Sequence, residues 1–488
     1  MRVWPKSDPP YHLHNHVMQF GIIHRSSTAQ THRRLLLFFA GWGQSLESMG
    51  EISVAGYDTA LVWDYREGSM SPEAETMIEG YEEIVVGAWS FGVHAAARFL
   101  ATHPELPVTT RIAFSGSRHT VDDAFGIPPA LFRATLDNLS DRAVEKFEMR
   151  VWGSAAAFRR AGAPLSGRAV EELREELLRF DTEAAPLLIW DRVFIPTADL
   201  IIPPAAQMKA WEGEAVEVTL IDSAHRLDFN HLLSHVLTDK SHVASRFSRS
   251  RPTYDRHASS QHRAGLRLLE LTERYLTRRP DLMLEIGCAT GTLSREVIDR
   301  VQPLRAELWD LKAGPKVREM ATAVSNRCDV TVQETDAEIA VRSLATESVD
   351  LIFSASTVQW FNSLRHFLSE AYRTLRPGGI IALSTYGPLT MKEIAAVTGR
   401  LSRFLSLEAV RRAIPAAAMT LHVSEEVDRL SFPTALEVLR HVSHTGVNAL
   451  DSTDGHKHAL GLLREYPLET DGTASLTFQP IYLIIQKP

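Results

Sequence analysis

The chain has 488 residues, 44% hydrophobic and 23% charged, with net charge -8 from 52 basic and 60 acidic side chains; this fits roughly two or three folded domains and excludes a disordered or collagen-like chain. No apolar run nears the ~18 residues of a membrane span, and Cys288 and Cys328 alone cannot build a disulfide scaffold. The opening residues lack a secretory apolar core and the global negative field opposes polyphosphate ligands, so a cytoplasmic protein without membrane or nucleic-acid partners is expected.

Residues 1–32 read as a loosely ordered extension. His12, His14, His16, His24 and His32 lie there with no predicted element to arrange them tetrahedrally, so no metal is expected. Asp8-Pro9-Pro10-Tyr11 looks like a signature of exocyclic-amine methyltransferases, but it stands far from any strand that could present it.

A first unit covers 33–234. It opens with Leu35-Leu36-Leu37-Phe38-Phe39-Ala40, a strand-length apolar run stopping at Gly41-Trp42-Gly43. Similar runs follow at 59–63, 83–88, 110–114, 186–190 and 216–221, with helical periodicity between several, as at 93–100. This alternation predicts a parallel sheet covered on both faces. Between about 127 and 180 the pattern is helical alone, which reads as a cap. A polar stretch near 235–248 is the expected linker. In 249–488 the alternation resumes: helix 261–278, strand 282–286, helix 293–301, and strands 306–310, 330–333 and 349–353. Helix 364–375 and strand 380–385 follow, and the tail 475–486 reads as an antiparallel edge strand or hairpin.

Gly87-Ala88-Trp89-Ser90-Phe91-Gly92 joins a predicted strand to a helix, the context of a nucleophile elbow, with Ala88 where the first glycine is usual. A serine needs a base, and His225 lies just past the last strand of the unit. The orienting carboxylate is open at this level: Asp122 and Asp123 follow one strand, Asp191 and Asp199 the next, in the more usual place. Backbone N–H groups of Trp42 and Phe91 are the expected oxyanion donors.

These segments, with Val121-Asp122-Asp123-Ala124-Phe125-Gly126-Ile127-Pro128, resemble the BioG family of pimeloyl-[acyl-carrier protein] methyl ester esterases over roughly 33–232. The resemblance implies a Ser90, Asp122, His225 triad with Asp123 in reserve, and leaves Asp191 and Asp199 structural.

Leu284-Glu285-Ile286-Gly287-Cys288-Ala289-Thr290-Gly291 joins a strand to a helix, and Asp310 ends the next strand, where a carboxylate can hold ribose hydroxyls. The spacing resembles the first motif of S-adenosylmethionine-dependent methyltransferases, which implies that cofactor, with Asp336 near the adenine. Ser354-Ala355-Ser356 after the fourth strand is not an amine-methylation motif, which argues against nucleic acid as acceptor. Phe247-Ser248, Tyr254-Asp255-Arg256-His257-Ala258-Ser259-Ser260-Gln261 and Val358-Gln359-Trp360 resemble the BioC family of malonyl-[acyl-carrier protein] O-methyltransferases over roughly 243–488. Carried over, Tyr254 and Gln261 close over the cofactor, while Glu285, Gly287, Gly291, Asp310 and Asp336 line its site. Arg256 and His257 are candidates for the acceptor carboxylate.

The expected fold is α/β in two domains: an α/β-hydrolase-like parallel sheet with a helical cap, then a Rossmann-like class I methyltransferase sheet. The expected protein methylates malonyl groups and demethylates pimeloyl methyl esters on an acyl-carrier protein, in biotin synthesis. A general carboxylesterase fused to a small-molecule carboxyl methyltransferase is the alternative. Because acyl-carrier proteins are acidic, Arg133, Arg142, Arg150, Arg159 and Arg160 in the cap and Arg411-Arg412 in the second half are expected contacts.

Overall fold

Continuous apolar runs bury both faces of a strand, which requires a parallel sheet with helices on each side. In the computed structural model, which describes residues 17–26, 33–162, 164–181, 184–398, 402–445 and 464–488, this holds in both halves of the chain. The chain divides into two units, Met1–Leu237 and Thr238–Pro488.

The first unit contains β1 (Gln19–His24), β2 (Arg34–Phe39), β3 (Asp58–Trp63), β4 (Glu83–Trp89), β5 (Val108–Phe114), β6 (Arg192–Pro196) and β7 (Glu217–Ile221). Their order is β1-β3-β2-β4-β5-β6-β7, parallel except for β1, which pairs antiparallel with β3. All seven residues of β4 are buried, and the rings of Phe38, Phe114 and Phe229 pack against one another. Four helices, Pro129–Asp137, Asp141–Val151, Ala155–Ala161 and Val170–Leu178, lie between β5 and β6.

Three expectations change in or next to this unit. Part of the supposed N-terminal extension is β1, which carries His24; His12, His14, His16, His32 and the Asp8–Tyr11 string lie outside the described residues. The run 186–190 is not a strand. Leu187 and Ile189 point to solvent, and pairing with β5 begins only where Asp191 exchanges hydrogen bonds with the Arg111 backbone, so the strand is β6. Most of the expected linker is helical: Lys240–His257 is one helix, capped by Asp239, whose carboxylate accepts from the N–H groups of Ser241 and His242. Its polar composition belongs to a half-exposed helix.

The second unit contains β8 (Leu282–Ile286), β9 (Arg305–Asp310), β10 (Asp329–Glu334), β11 (Val349–Ala355), β12 (Leu375–Tyr386), β13 (Met419–Glu425), β14 (Asp428–Phe432), β15 (Ala474–Phe478) and β16 (Pro480–Gln486). One sheet runs β10-β9-β8-β11-β12-β16-β13, with its first five strands parallel; β14 and β15 pair separately. The tail is antiparallel throughout, but only its first strand, β15, is an edge, paired with β14 alone. β16 lies antiparallel between β12 and β13, which explains why Ile481 through Ile485 read as an unbroken apolar run. Strand order reverses at β8, between β9 and β11, so a crevice opens beyond the carboxyl ends of these strands.

Candidate functional site

Ser90 sits in the turn between β4 and the helix Phe91–Thr102 with φ 58, a left-handed conformation that holds its side chain off the sheet. Close backbone contact makes the turn possible. A Cβ on Gly92 would lie 2.3 Å from the Phe39 carbonyl oxygen, and one on Gly116 would lie 2.4 Å from that of Ser90. Ala88, in place of a glycine, is accommodated fully buried.

Ser90 Oγ is 3.0 Å from His225 Nε2, and His225 Nδ1 is 2.7 Å from Asp199 Oδ2. The carboxylate beside His225 is thus Asp199, in place of Asp122. Asp122 turns into its own loop, accepting from the N–H groups of Ala124 (2.7 Å) and Phe125 (2.9 Å). Asp123 is exposed, and Asp191 accepts from the Arg111 N–H at the start of the β5–β6 pairing. Asp199 is fixed by the N–H groups of Ile201 and Ile202 and by Gln207 Nε2. Its loop reaches the histidine because Ala198 N donates to Ser223 O, joining the turns that follow β6 and β7. The His225 carbonyl is held by Trp89 Nε1 and Ser115 Oγ, which sets the imidazole's position.

A cavity of about 500 Å³ opens over Ser90. Trp42 and Phe91 line it beside the serine, and Ile127, Leu131, Phe132, Phe147 and Leu177 form an apolar wall from the helical segment. Arg150 lines it too, whereas Arg133, Arg142, Arg159 and Arg160 are simply exposed. Behind His225, burial lowers the Arg226 guanidinium to about 10 against the pull of Glu148. Its guanidinium lies over Trp89, Trp152 and Phe229.

In the second unit a cavity of about 860 Å³ lies at the carboxyl ends of β8, β9 and β11. Of the residues expected there, Tyr254, Gly287, Asp310 and Asp336 line it. Gly287 has φ 84, and a Cβ on it would meet Thr357 Oγ1 at 1.9 Å, so only glycine fits. Ala289, with φ 48, adopts the left-handed turn that a glycine usually serves, and its N–H donates to Asp310 Oδ2 at 2.9 Å. Burial raises the Asp310 carboxyl, opposed by the N–H groups of Lys312 and Ala289.

The other three expected residues do not line the cavity. Glu285 is buried behind the glycine turn and accepts from Ser294 Oγ at 2.9 Å; Gln261 is buried in the helix Ser259–Tyr275; Gly291 packs against Val317. Arg256 is exposed, and His257 faces His444 and His441, so neither of these candidates lines the cavity. Arg411 is exposed and Arg412 pairs with Glu408, at a helix end.

Sequence reasoning missed Lys240. Its Nζ is 2.7 Å from Asp336 Oδ1 and 2.6 Å from Glu338 Oε2, and it lines the cavity. The polar look of the supposed linker hid it. Phe247 and Trp360 meet edge to face at 5.7 Å, and Asp255 accepts from Thr290 Oγ1 at 2.6 Å, pinning the Lys240–His257 helix over the glycine turn. Among the described residues no group of three or more His, Cys, Asp or Glu side chains could hold a metal, and no helix is long and apolar enough to cross a membrane.

Residues 24–237 match the family described as pimeloyl-ACP methyl esterase BioG, and residues 284–383 match a methyltransferase domain. A malonyl-[acyl-carrier protein] O-methyltransferase of Bacteroides fragilis is 33% identical over 466 residues, which is 93% of each chain. One from Bacteroides helcogenes is 30% identical over 273 residues, covering 50% of this chain and 98% of that protein. The crystal structure of BioG from Haemophilus influenzae is 28% identical with a TM-score of 0.37, covering 44% of this chain and 96% of that one.

Proposed function

Because the chain belongs to the malonyl-[acyl-carrier protein] O-methyltransferase family and carries a BioG region ahead of its methyltransferase domain, we propose that it installs and removes one methyl ester in biotin synthesis. The second unit methylates the free carboxyl of a malonyl group on an acyl-carrier protein. The first unit hydrolyses the methyl ester of the pimeloyl group made from it. The ester lets enzymes with apolar pockets elongate the chain, since a bare carboxylate buried there would cost several kcal/mol.

The observation that carries the esterase half is the relay from Ser90 through His225 to Asp199 below an apolar cavity. The strand order, with its antiparallel first strand and the serine after β4, supports an α/β-hydrolase-like fold with the helical segment as cap. Ser90 Oγ attacks the ester carbonyl as its proton passes to His225 Nε2, with Asp199 stabilising the imidazolium. The oxyanion is held by the N–H groups of Trp42 and Phe91. Collapse passes the proton from His225 to departing methanol. A water then gives its proton to His225 and attacks the acyl-serine; as that intermediate collapses, His225 returns the proton to Ser90 Oγ and the carboxylic acid leaves.

For the second unit, S-adenosylmethionine, when bound, supplies a methyl group on a sulfonium that a carboxylate attacks without any base. The cradle at Gly287, closed to any side chain, and the carboxylates of Asp310 and Asp336 lining the same crevice fit such a ligand. Asp310 would hold ribose hydroxyls and Asp336 the adenine end. Tyr254, Phe247 and Trp360 exclude water, and Glu285 supports the turn from behind through Ser294. The chain's task is positioning.

The test uses the purified intact chain. It transfers labelled methyl from S-adenosylmethionine to malonyl-carrier protein and releases methanol from methyl pimeloyl-carrier protein, and Ser90→Ala loses only the second activity. Failure of the intact chain in either reaction overturns the corresponding half.

A further inference from the structure

Three consecutive residues of the loop after β2 are tied to the helical segment. Trp42 Nε1 donates to the Leu173 carbonyl at 2.9 Å, the Gly43 N–H to Glu176 Oε2 at 3.2 Å, and Gln44 Nε2 to Glu148 Oε1 at 2.8 Å. The Glu176 side chain is 0% exposed. Its Oε1 also accepts from the Tyr65 N–H at 3.0 Å, and its charge meets Arg168 at 2.7 Å, which in turn reaches Asp64 at 2.8 Å. A carboxylate is required there, because a carboxamide oxygen cannot serve both N–H donors and the guanidinium.

The helices that make these ties also form the cavity wall. Phe147, next to Glu148, meets Trp42 edge-on at 5.0 Å, and Leu177, next to Glu176, lines the cavity. Gly43, at φ 74, takes a backbone conformation that side chains rarely adopt, and the three ties hold the loop in it. An acyl chain long enough to reach Phe147 and Leu177 would press on the same helices that hold the loop, whereas a short one would leave that wall uncovered.

Resting on the esterase reading above, we infer that Glu176 is a positioning residue for the oxyanion donor at Trp42, and that through it the length of the acyl chain is read in the rate of ester cleavage. The helical segment is then a clamp on the oxyanion loop as well as a cover.

The experiment compares the intact chain with Glu176→Gln on methyl pimeloyl- and methyl malonyl-carrier protein, with hexylboronic acid as a mimic of the tetrahedral intermediate. Glu176→Gln lowers kcat for the pimeloyl ester about 10²-fold, the scale of a 1 Å misplacement, and leaves KM within about twofold. Boronate affinity falls in proportion, while kcat on the malonyl ester changes less than about threefold. A raised KM with unchanged kcat, or equal losses on both esters, overturns the inference. If Glu176→Gln does not fold, Leu177→Ala decides: it moves the preferred chain length upward, and an unchanged length profile overturns the inference. Failure of the underlying reading is seen separately, as wild-type Ser90 that a fluorophosphonate does not label.

Discussion

Asp199 Oδ2 stands 2.7 Å from His225 Nδ1, with the two side chains 0% and 1% exposed. On the proposed mechanism the carboxylate holds the proton on Nδ1 and leaves Nε2 to take one from Ser90. Asp199→Asn favours the wrong tautomer and is expected to lower kcat for ester hydrolysis by about 10⁴-fold. Asp122→Asn keeps an oxygen for the N–H groups of Ala124 and Phe125 and leaves methanol release near wild type. Steady-state methanol release from the two variants checks both, and the reverse ranking would return the acid to Asp122.

Ser90 and His225 could be picked out as candidates because Ser90 follows the fully apolar β4 and His225 comes late in the chain, just after the last strand of its unit. The acid could not. Resemblance drew it to the loop with Asp122, while the residues alone kept Asp199 open; the deciding fact is the bridge from Ala198 N to Ser223 O, a contact between distant turns that no local pattern encodes. In the second unit the glycine turn and Asp310 could be read from spacing. Lys240 could not, since it lies in a polar stretch whose helix is set by the Asp239 cap and by packing. β1 was missed for a similar reason: an edge strand of six half-buried residues leaves a weak signal.

Glu285 gives the second unit a pH dependence. Burial pushes its carboxyl up to about 7, opposed by the Ser294 hydroxyl and aided by Asp310. The unfolded value is about 4.3. Between the two the folded chain keeps a proton that the unfolded chain has released, so this group's contribution to stability falls as pH rises through that window and is level above it. Glu285→Gln still offers an acceptor to Ser294 and removes the charging cost, on the order of 3 kcal/mol. Thermal unfolding of the intact chain at pH 5 and pH 8 tests this: the variant gains on wild type at pH 8, and a difference independent of pH counts against it.

Lys240 joins the helix Lys240–His257 to the cavity beyond β8, β9 and β11. Its ammonium is held between Asp336 and Glu338 and lies 5.0 Å from the Phe361 ring centroid. Glu338 in turn accepts from the N–H groups of Asn362 and Ser363, so the same cluster fixes the turn that follows Trp360. Lys240→Met leaves two carboxylates buried together, an expected loss of about 3–5 kcal/mol. Adding Glu338→Gln removes one of those charges and should restore much of the melting temperature. Affinity for S-adenosylhomocysteine should remain about tenfold weaker in the double variant, since Asp336 has lost the partner that holds it toward the cavity, a change of ~1.4 kcal/mol. Melting curves and calorimetric titration of the two variants separate stability from binding. Wild-type affinity in the stable double variant would make Lys240 a purely structural cation.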